Sequence, residues 1–166
     1  MIGLATAEPL RLWRCTVLPE WQDYNGHMTE YRYLQVFGEA SDRLYERVGI
    51  DFARAGEGAY FTRETHLRHL AECRAGTELV TETEVLAYDE KRLHLFHRLA
   101  DRAGVLLATA EHLSIHVRRS RSAPASETVL AAVRAIFEAQ SAPPIPPDTG
   151  SVLTRPLRHR RGSRAT

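Results

Sequence analysis

Cysteine is scarce in this chain: Cys15 and Cys73 are the only two, too few for a disulfide framework. Stability must therefore come from packing. No apolar run approaches the roughly 18 residues of a membrane span, and residues 1–10 do not combine a basic start with an apolar stretch. Neither a spanning helix nor a secretory leader is expected. Charge of one sign is also lacking, since 22 Lys and Arg face 21 Asp and Glu. Without a global field, nucleic acid and membrane surfaces are not expected partners. No internal repeat is visible. The eight histidines carry no Cys-x-x-Cys or His-Glu-x-x-His spacing. His112 and His116 share a strand face and His66 and His69 lie near them in the order of the sheet, but histidines scattered over strands rarely converge on one ion. No metal and no redox cofactor is expected. A Ser-His-Asp hydrolase is disfavoured by the missing Gly-x-Ser-x-Gly elbow. What remains is a reduced, cytoplasmic, soluble protein, and 166 residues with 43% hydrophobic content fit one core.

Leu10 to Pro19 alternates apolar and polar residues as a half-buried strand does, and Pro19 closes it. Tyr33, Leu34, Val36, Phe37, Ala40, Leu44 and Val48 then recur at helical spacing, which predicts a long amphipathic helix. Thr29 is placed to cap its start, Glu30 suits the first turn, and Gly49 ends it. Residues 59–72, 77–88, 91–101 and 105–118 read as strands separated by Ala75-Gly76, Asp89-Glu90 and Asp101–Gly104, and such short connections favour antiparallel hairpins. Residues 126–140 predict a second helix capped by Ser126, with Leu130, Val133, Ile136 and Phe137 on one side. The pattern is α+β, one long helix laid on an antiparallel sheet with a C-terminal helix added. Residues 1–141 make that domain. Residues 142–166 are Pro-rich and then basic, and are expected to form a disordered tail.

Between the first strand and the long helix lies Trp21-Gln22-Asp23-Tyr24-Asn25-Gly26-His27-Met28. It sets a carboxylate on a Gly-containing turn just ahead of a helix N-terminus. Backbone amides there are ready-made donors for a developing oxyanion, so acyl transfer is the natural first reading. Trp21, Tyr24, Tyr31 and Tyr33 crowd aromatic rings around the same turn.

The order strand, Asp-x-x-Gly-His loop, long helix and four-stranded meander resembles the hot-dog fold thioesterases of the 4-hydroxybenzoyl-CoA type, over residues 10–140. The segments Asp23–Met28, Glu64–Leu70, Asp89–His97 and Ala108–His112 are most similar to the branch that acts on betainyl-CoA in carnitine breakdown. Thr29-Glu30 departs from relatives that carry Asn at one or both positions. The resemblance implies that Asp23 is the catalytic carboxylate, either attacking the thioester or drawing a proton from the attacking water. It implies that amides around Thr29 to Tyr31 polarise the carbonyl and that His27 orients Asp23 or donates to substrate. Asn25, Gly26 and Thr29 join the substrate-binding positions. Glu64, a competing base, and Thr65 and His66 would approach the Asp23 loop of a partner subunit in a dimer or tetramer. Lys91 and Arg92 would grip CoA phosphates. Trp21, Tyr24, Tyr31 and Tyr33 would meet a trimethylammonium acyl group, because aromatic faces attract such cations. The implied activity is hydrolysis of a short acyl-CoA, betainyl-CoA foremost. Alternatives are a broad-specificity acyl-CoA or acyl-carrier-protein thioesterase and an acyl-CoA-binding hot-dog protein without turnover.

Overall fold

A computed structural model of the chain describes residues 10–54, 56–140 and 149. The elements run β1 (Leu10–Thr16), a short 3-10 turn at Pro19–Trp21, α1 (Glu30–Arg47), β2 (Ala59–His69), β3 (Glu78–Tyr88), β4 (Arg92–Asp101), β5 (Leu106–Arg118), β6 (Arg121–Ser122) and α2 (Glu127–Ala139). The strands form one antiparallel sheet in the order β1-β3-β4-β5-β2, with β6 pairing only β5. This is the arrangement expected of a hot-dog fold. Most expected boundaries hold to within a residue or two. β2 stops at His69 instead of running to residue 72, because the amides of Leu70 and Ala71 both turn onto the Leu107 carbonyl. β6 was not expected. The proposed tail lies outside the described residues apart from residue 149.

α1 packs across β1, β2, β3 and β4. Its buried residues are Tyr33, Val36, Phe37, Ala40, Ser41, Leu44 and Tyr45, one stripe at i, i+3, i+4, i+7 spacing. Phe37 and Leu44 are fully buried, each contributing about 2 kcal/mol by removal from water. Leu34, expected on that stripe, is 46% exposed, so the stripe is narrower than its apolar residues suggest. Gly49, at φ +99, closes α1 with a Schellman pair: Gly49 N–H donates to Glu46 and Ile50 N–H to Tyr45. At the other end Thr29 holds the cap position by its backbone angles, but its side chain makes no capping bond. In α2 the expected Ser126 cap forms, its Oγ accepting from Val129 N–H. Val129 and Val133 are the residues α2 buries, in a core cluster that also holds Leu44, Tyr45, Val48 and Val85, and α2 packs on β3.

Polar groups also lie in the layer between helix and sheet. Ser41 Oγ donates to the Phe37 carbonyl (3.0 Å) and sits 3.0 Å from His97 Nε2 and 3.2 Å from His112 Nδ1. Thr83 Oγ1 is 3.0 Å from His97 Nδ1. With its one proton given to Phe37, Ser41 accepts from both imidazoles, and Thr83 donates to the remaining His97 nitrogen. That pattern needs the His97 ring neutral, because its Nδ1 must accept; His112 donates from Nδ1. Burial, and then the neighbouring His112, holds His97 well below the ordinary histidine value, and burial lowers His112 to about 4.

The β3–β4 turn is fixed by one carboxylate. Asp89 Oδ1 accepts from the amides of Lys91 (2.9 Å) and Arg92 (2.7 Å), and Oδ2 accepts from Arg92 Nε (2.7 Å). Burial works to raise the Asp89 carboxyl; the hydrogen bonds from Lys91 and Arg92 outweigh it and hold it below the usual carboxylate value.

Two outcomes test this packing. The unfolded chain takes up protons on His97 and His112 below about pH 6.5 while the folded chain resists, so stability is full above pH 6.5 and falls as pH drops toward 4. His112 alone accounts for on the order of 3 kcal/mol across that window. Urea unfolding midpoints should fall between pH 7 and pH 5, with a shallower slope in His112→Gln; a flat wild-type profile would contradict the neutral pair. Arg92→Ala should cost about 1 kcal/mol of unfolding free energy, a value discounted because both partners are about a third exposed.

Candidate active site

The Asp23 loop is a closed turn. Asp23 N–H donates to the His27 carbonyl (2.9 Å), Gly26 N–H donates to the Asp23 carbonyl (3.0 Å), and Gln22 bridges Met28 as a one-rung antiparallel ladder. Gly26 has φ +76, a left-handed conformation that a side chain would strain. The loop is moored at its base: Met28 N–H donates to Cys73 O, Thr29 N–H to Trp21 O, and Ala75 N–H to Gln22 Oε1. Asp23 Oδ1 accepts from Asn25 N–H at 2.8 Å and His27 N–H at 3.4 Å. Oδ2 has no partner among the described residues. One oxygen thus orders the turn while the other remains available for chemistry.

Thr29 N–H is spent on the Trp21 carbonyl, which corrects the expectation that it polarises a substrate carbonyl. Arg32 N–H donates to the Thr29 carbonyl. Between them, the amides of Glu30 and Tyr31 open α1 with no intrahelical acceptor. These two are the donors that a substrate oxygen can meet.

The four aromatic residues do not line one surface of the protomer. Trp21 and Tyr33 are core residues at 7% and 4% exposure, whereas Tyr24 and Tyr31 stand out at 96% and 62%. Tyr33 packs edge-on to His69, and its hydroxyl lies 3.5 Å from Cys73 Sγ. Burial, then the Cys73 contact, pushes the Tyr33 phenol far above its ordinary value, and burial likewise raises the Cys73 thiol. Both stay protonated at neutral pH. The Trp21 and Tyr31 rings already hold a cation: the Arg32 guanidinium carbon is 5.2 Å from one centroid and 5.1 Å from the other.

His27 turns its ring away from the loop. Nε2 lies 3.0 Å from Arg74 Nη2 and 3.1 Å from Glu72 Oε2. Arg74 only donates and Glu72, when ionised, only accepts, so the proton on Nε2 decides which partner is held. Neither residue carried a sequence signal; they reach the loop because the connection after β2 folds under it.

Glu64, Thr65 and His66 lie on β2, the terminal strand of the sheet. A bulge at Thr62–Glu64 re-aims the strand, and Glu64 lines a depression of about 180 Å³ with Arg63, Arg92 and Leu113. Glu64 is five residues before the end of β2, roughly 16 Å from the connection that moors Asp23. A single protomer therefore does not bring the two carboxylates together. Thr65 is exposed, paired with His112 in the ladder. His66 Nδ1 is 3.6 Å from Glu111, a buried carboxylate whose other oxygen is 3.0 Å from His94 Nε2. Lys91 lies 3.7 Å from Glu90, and Arg92 is committed to Asp89. Their turn is separated from the Asp23 moorings by the length of β3, roughly 35 Å, so within one protomer neither reaches a CoA bound at Asp23.

The chain matches the family model described as thioesterase-like superfamily across residues 17–153. It is 46% identical over 140 residues to an L-carnitine dehydrogenase/betainyl-CoA thioesterase of Rhizobium meliloti (strain 1021), covering 82% of this chain. The chain spans 28% of the length of that relative. It is 39% identical over 155 residues to a betainyl-CoA thioesterase of Pseudomonas aeruginosa, covering 90% of this chain and 98% of that one. Among solved structures, a Pseudomonas putida KT2440 protein provisionally described as a thioesterase superposes with a TM-score of 0.78 at 33% identity, over 91% of this chain and 99% of that one. A Staphylococcus aureus protein solved in complex with CoA shares the fold, with a TM-score of 0.81 at 24% identity over 90% and 98% of the two chains. With the family model covering most of its length and a stand-alone relative aligned nearly end to end, the chain belongs to the thioesterase-like superfamily, in its hot-dog fold.

Proposed function

We propose that this chain hydrolyses an acyl-CoA thioester and that its substrate is betainyl-CoA, giving betaine and CoA. The observation that carries the reaction is the Asp23 carboxylate, with Oδ1 pinned by Asn25 and His27 and Oδ2 available, one short turn before the unpartnered amides of Glu30 and Tyr31. The acyl group is supported by the 39% and 46% identity to proteins named as betainyl-CoA thioesterases.

In this reading the thioester oxygen lies against the Glu30 and Tyr31 amides, which stabilise the oxyanion as the carbonyl carbon becomes tetrahedral. Oδ2 either takes the proton of an attacking water or itself attacks to form an acyl anhydride that water then opens. Collapse of the tetrahedral species breaks the C–S bond, and the CoA thiolate takes up a proton. Single turnover in ¹⁸O-water tests for the anhydride: label in the Asp23 carboxylate requires it, because only water opening an anhydride at the Asp23 carbon leaves label there.

The working unit is a homodimer, or a dimer of dimers, joined along β2. β2 is an eleven-residue terminal strand with Phe61 at 58% exposure, the kind of open edge that pairs with a second chain. In this reading Glu64, Thr65 and His66 of one protomer approach the Asp23 loop of the other. No helix among the described residues is long and apolar enough to cross a membrane. The two free thiols suit a reducing cytoplasm.

Thiol release measured with betainyl-, acetyl-, octanoyl- and 4-hydroxybenzoyl-CoA tests the assignment. Betainyl-CoA should be preferred, and Asp23→Asn should lower kcat by about 100-fold or more without a comparable rise in KM. Full activity in Asp23→Asn would move the carboxylate role to Glu64. Octanoyl-CoA cleaved as fast as betainyl-CoA would favour a broad-specificity thioesterase, and binding without thiol release a non-catalytic acyl-CoA-binding protein.

A further inference from the structure

We propose that the Trp21 and Tyr31 rings are a cation-binding platform which Arg32 fills in the free protein, and that the quaternary ammonium group of the acyl chain takes the platform by displacing Arg32. The proposal rests on the betainyl reading for the identity of the ligand, but not for the existence of the platform.

The Arg32 guanidinium lies over both rings at 5.2 and 5.1 Å, within the range where an aromatic face attracts a cation. The platform therefore already demonstrates its preference on a resident charge. Arg32 is held loosely for a half-buried arginine. Its Nη1 donates to Gln35 Oε1 at 2.6 Å, its Nε is buried without a hydrogen-bond partner, and no carboxylate among the described residues is within ion-pair distance. Leaving the rings would release that unsatisfied Nε–H to water. The Gln35 side chain is itself anchored to Glu39 Oε1 (2.8 Å), so it offers a fixed, outward point to which Arg32 can stay attached as it moves. Trp21 is 7% exposed, a member of the core cluster that holds Val17 and Met28, and the Arg32 guanidinium lies over its ring, so a ligand cation and the guanidinium compete for that face.

Position links the platform to the chemistry. Trp21 is two residues before Asp23, its carbonyl fixes Thr29, and Tyr31 supplies one of the two unpartnered α1 amides. In a betainyl group a single methylene separates the ammonium from the thioester carbon, so a cation seated here keeps the carbonyl within the same turn. A neutral acyl chain gains nothing from the rings and leaves Arg32 in place. Arg32 is thus a specificity-determining residue: it sets the threshold that only a cationic acyl group crosses. Removing its charge while keeping its stem should strengthen cation binding.

Two measurements on the full chain decide this. Tetramethylammonium titrations followed by NMR should shift the Trp21 indole N–H and the Arg32 Nε–H together. Arg32→Met should bind tetramethylammonium about fivefold to tenfold tighter, and Arg32→Lys should stay near wild type. An unmoved Trp21 signal, or unchanged or weaker affinity in Arg32→Met, overturns the platform. Turnover is then compared for betainyl-CoA and its uncharged isostere 3,3-dimethylbutanoyl-CoA. The ratio of their kcat/KM values should rise in Arg32→Met by a similar factor and not in Arg32→Lys. An equal fall on both substrates would make Arg32 a packing residue and overturn the proposal. Should wild type cleave neither thioester, the functional reading fails, and the tetramethylammonium titration still decides the platform on its own.

Discussion

The burial of one face of α1 against the antiparallel sheet is the contact on which the rest of the molecule depends. Phe37, Leu44 and Val36 are sealed in it, and it holds the helix so that only its first turn emerges beside the Asp23 loop. The same contact carries the Thr83–His97–Ser41–His112 hydrogen bonds. Such a buried polar chain gives the helix a single register on the sheet, because sliding it by a turn would leave several donors and acceptors unpaired in a dry layer. Register in turn fixes where the Glu30 and Tyr31 amides lie.

Hydrogen-bond accounting distinguishes the groups that build the turn from those free to act. Most amides of the Asp23 loop are occupied: those of Asp23, Gly26, Met28 and Thr29 donate to carbonyls, and those of Asn25 and His27 donate to Asp23 Oδ1. What is left over among the described groups is one carboxylate oxygen and the amides of Tyr24, Glu30 and Tyr31, the last two at the helix terminus. In the proposed reaction the carboxylate oxygen is the base or nucleophile and the two helix-terminal amides are the oxyanion donors. Arg32 belongs to the same account, since its charge is met by aromatic faces and one amide oxygen, with no carboxylate among the described residues to hold it.

A second consequence is geometric. β3 separates the Asp23 moorings from the Asp89–Arg92 turn by nearly the full length of the sheet, and Glu64 sits midway along the opposite edge strand. Residues that sequence similarity groups into one site are therefore dispersed over the protomer. The proposed pairing along β2 would gather them, on an edge strand that is polar throughout from Thr62 to His66.

Much of this architecture was legible in the sequence. The period-3.6 stripe from Tyr33 to Tyr45, the alternation of the strands, Gly49 at φ +99 and the Asp23–Gly26 turn all express local rules, in which a residue's own chain neighbours decide its conformation. What periodicity and turn chemistry do not announce is which groups are already engaged. Thr29 N–H is claimed by Trp21 O, Arg92 by Asp89 and the Trp21 ring by Arg32, and His27 meets Glu72 and Arg74 from more than 40 residues along the chain. Ser41 reads as a polar interruption of the helix until two histidines from β4 and β5 are brought beneath it. The sequence by itself determined the elements, their order and the loop bearing the carboxylate, because periodicity and turn chemistry act over a few residues. Only the tertiary structure decided which amides, rings and charges remain unpaired and so available to a substrate, because that depends on partners distant in the chain, as with Ser41 and His112 separated by 71 positions.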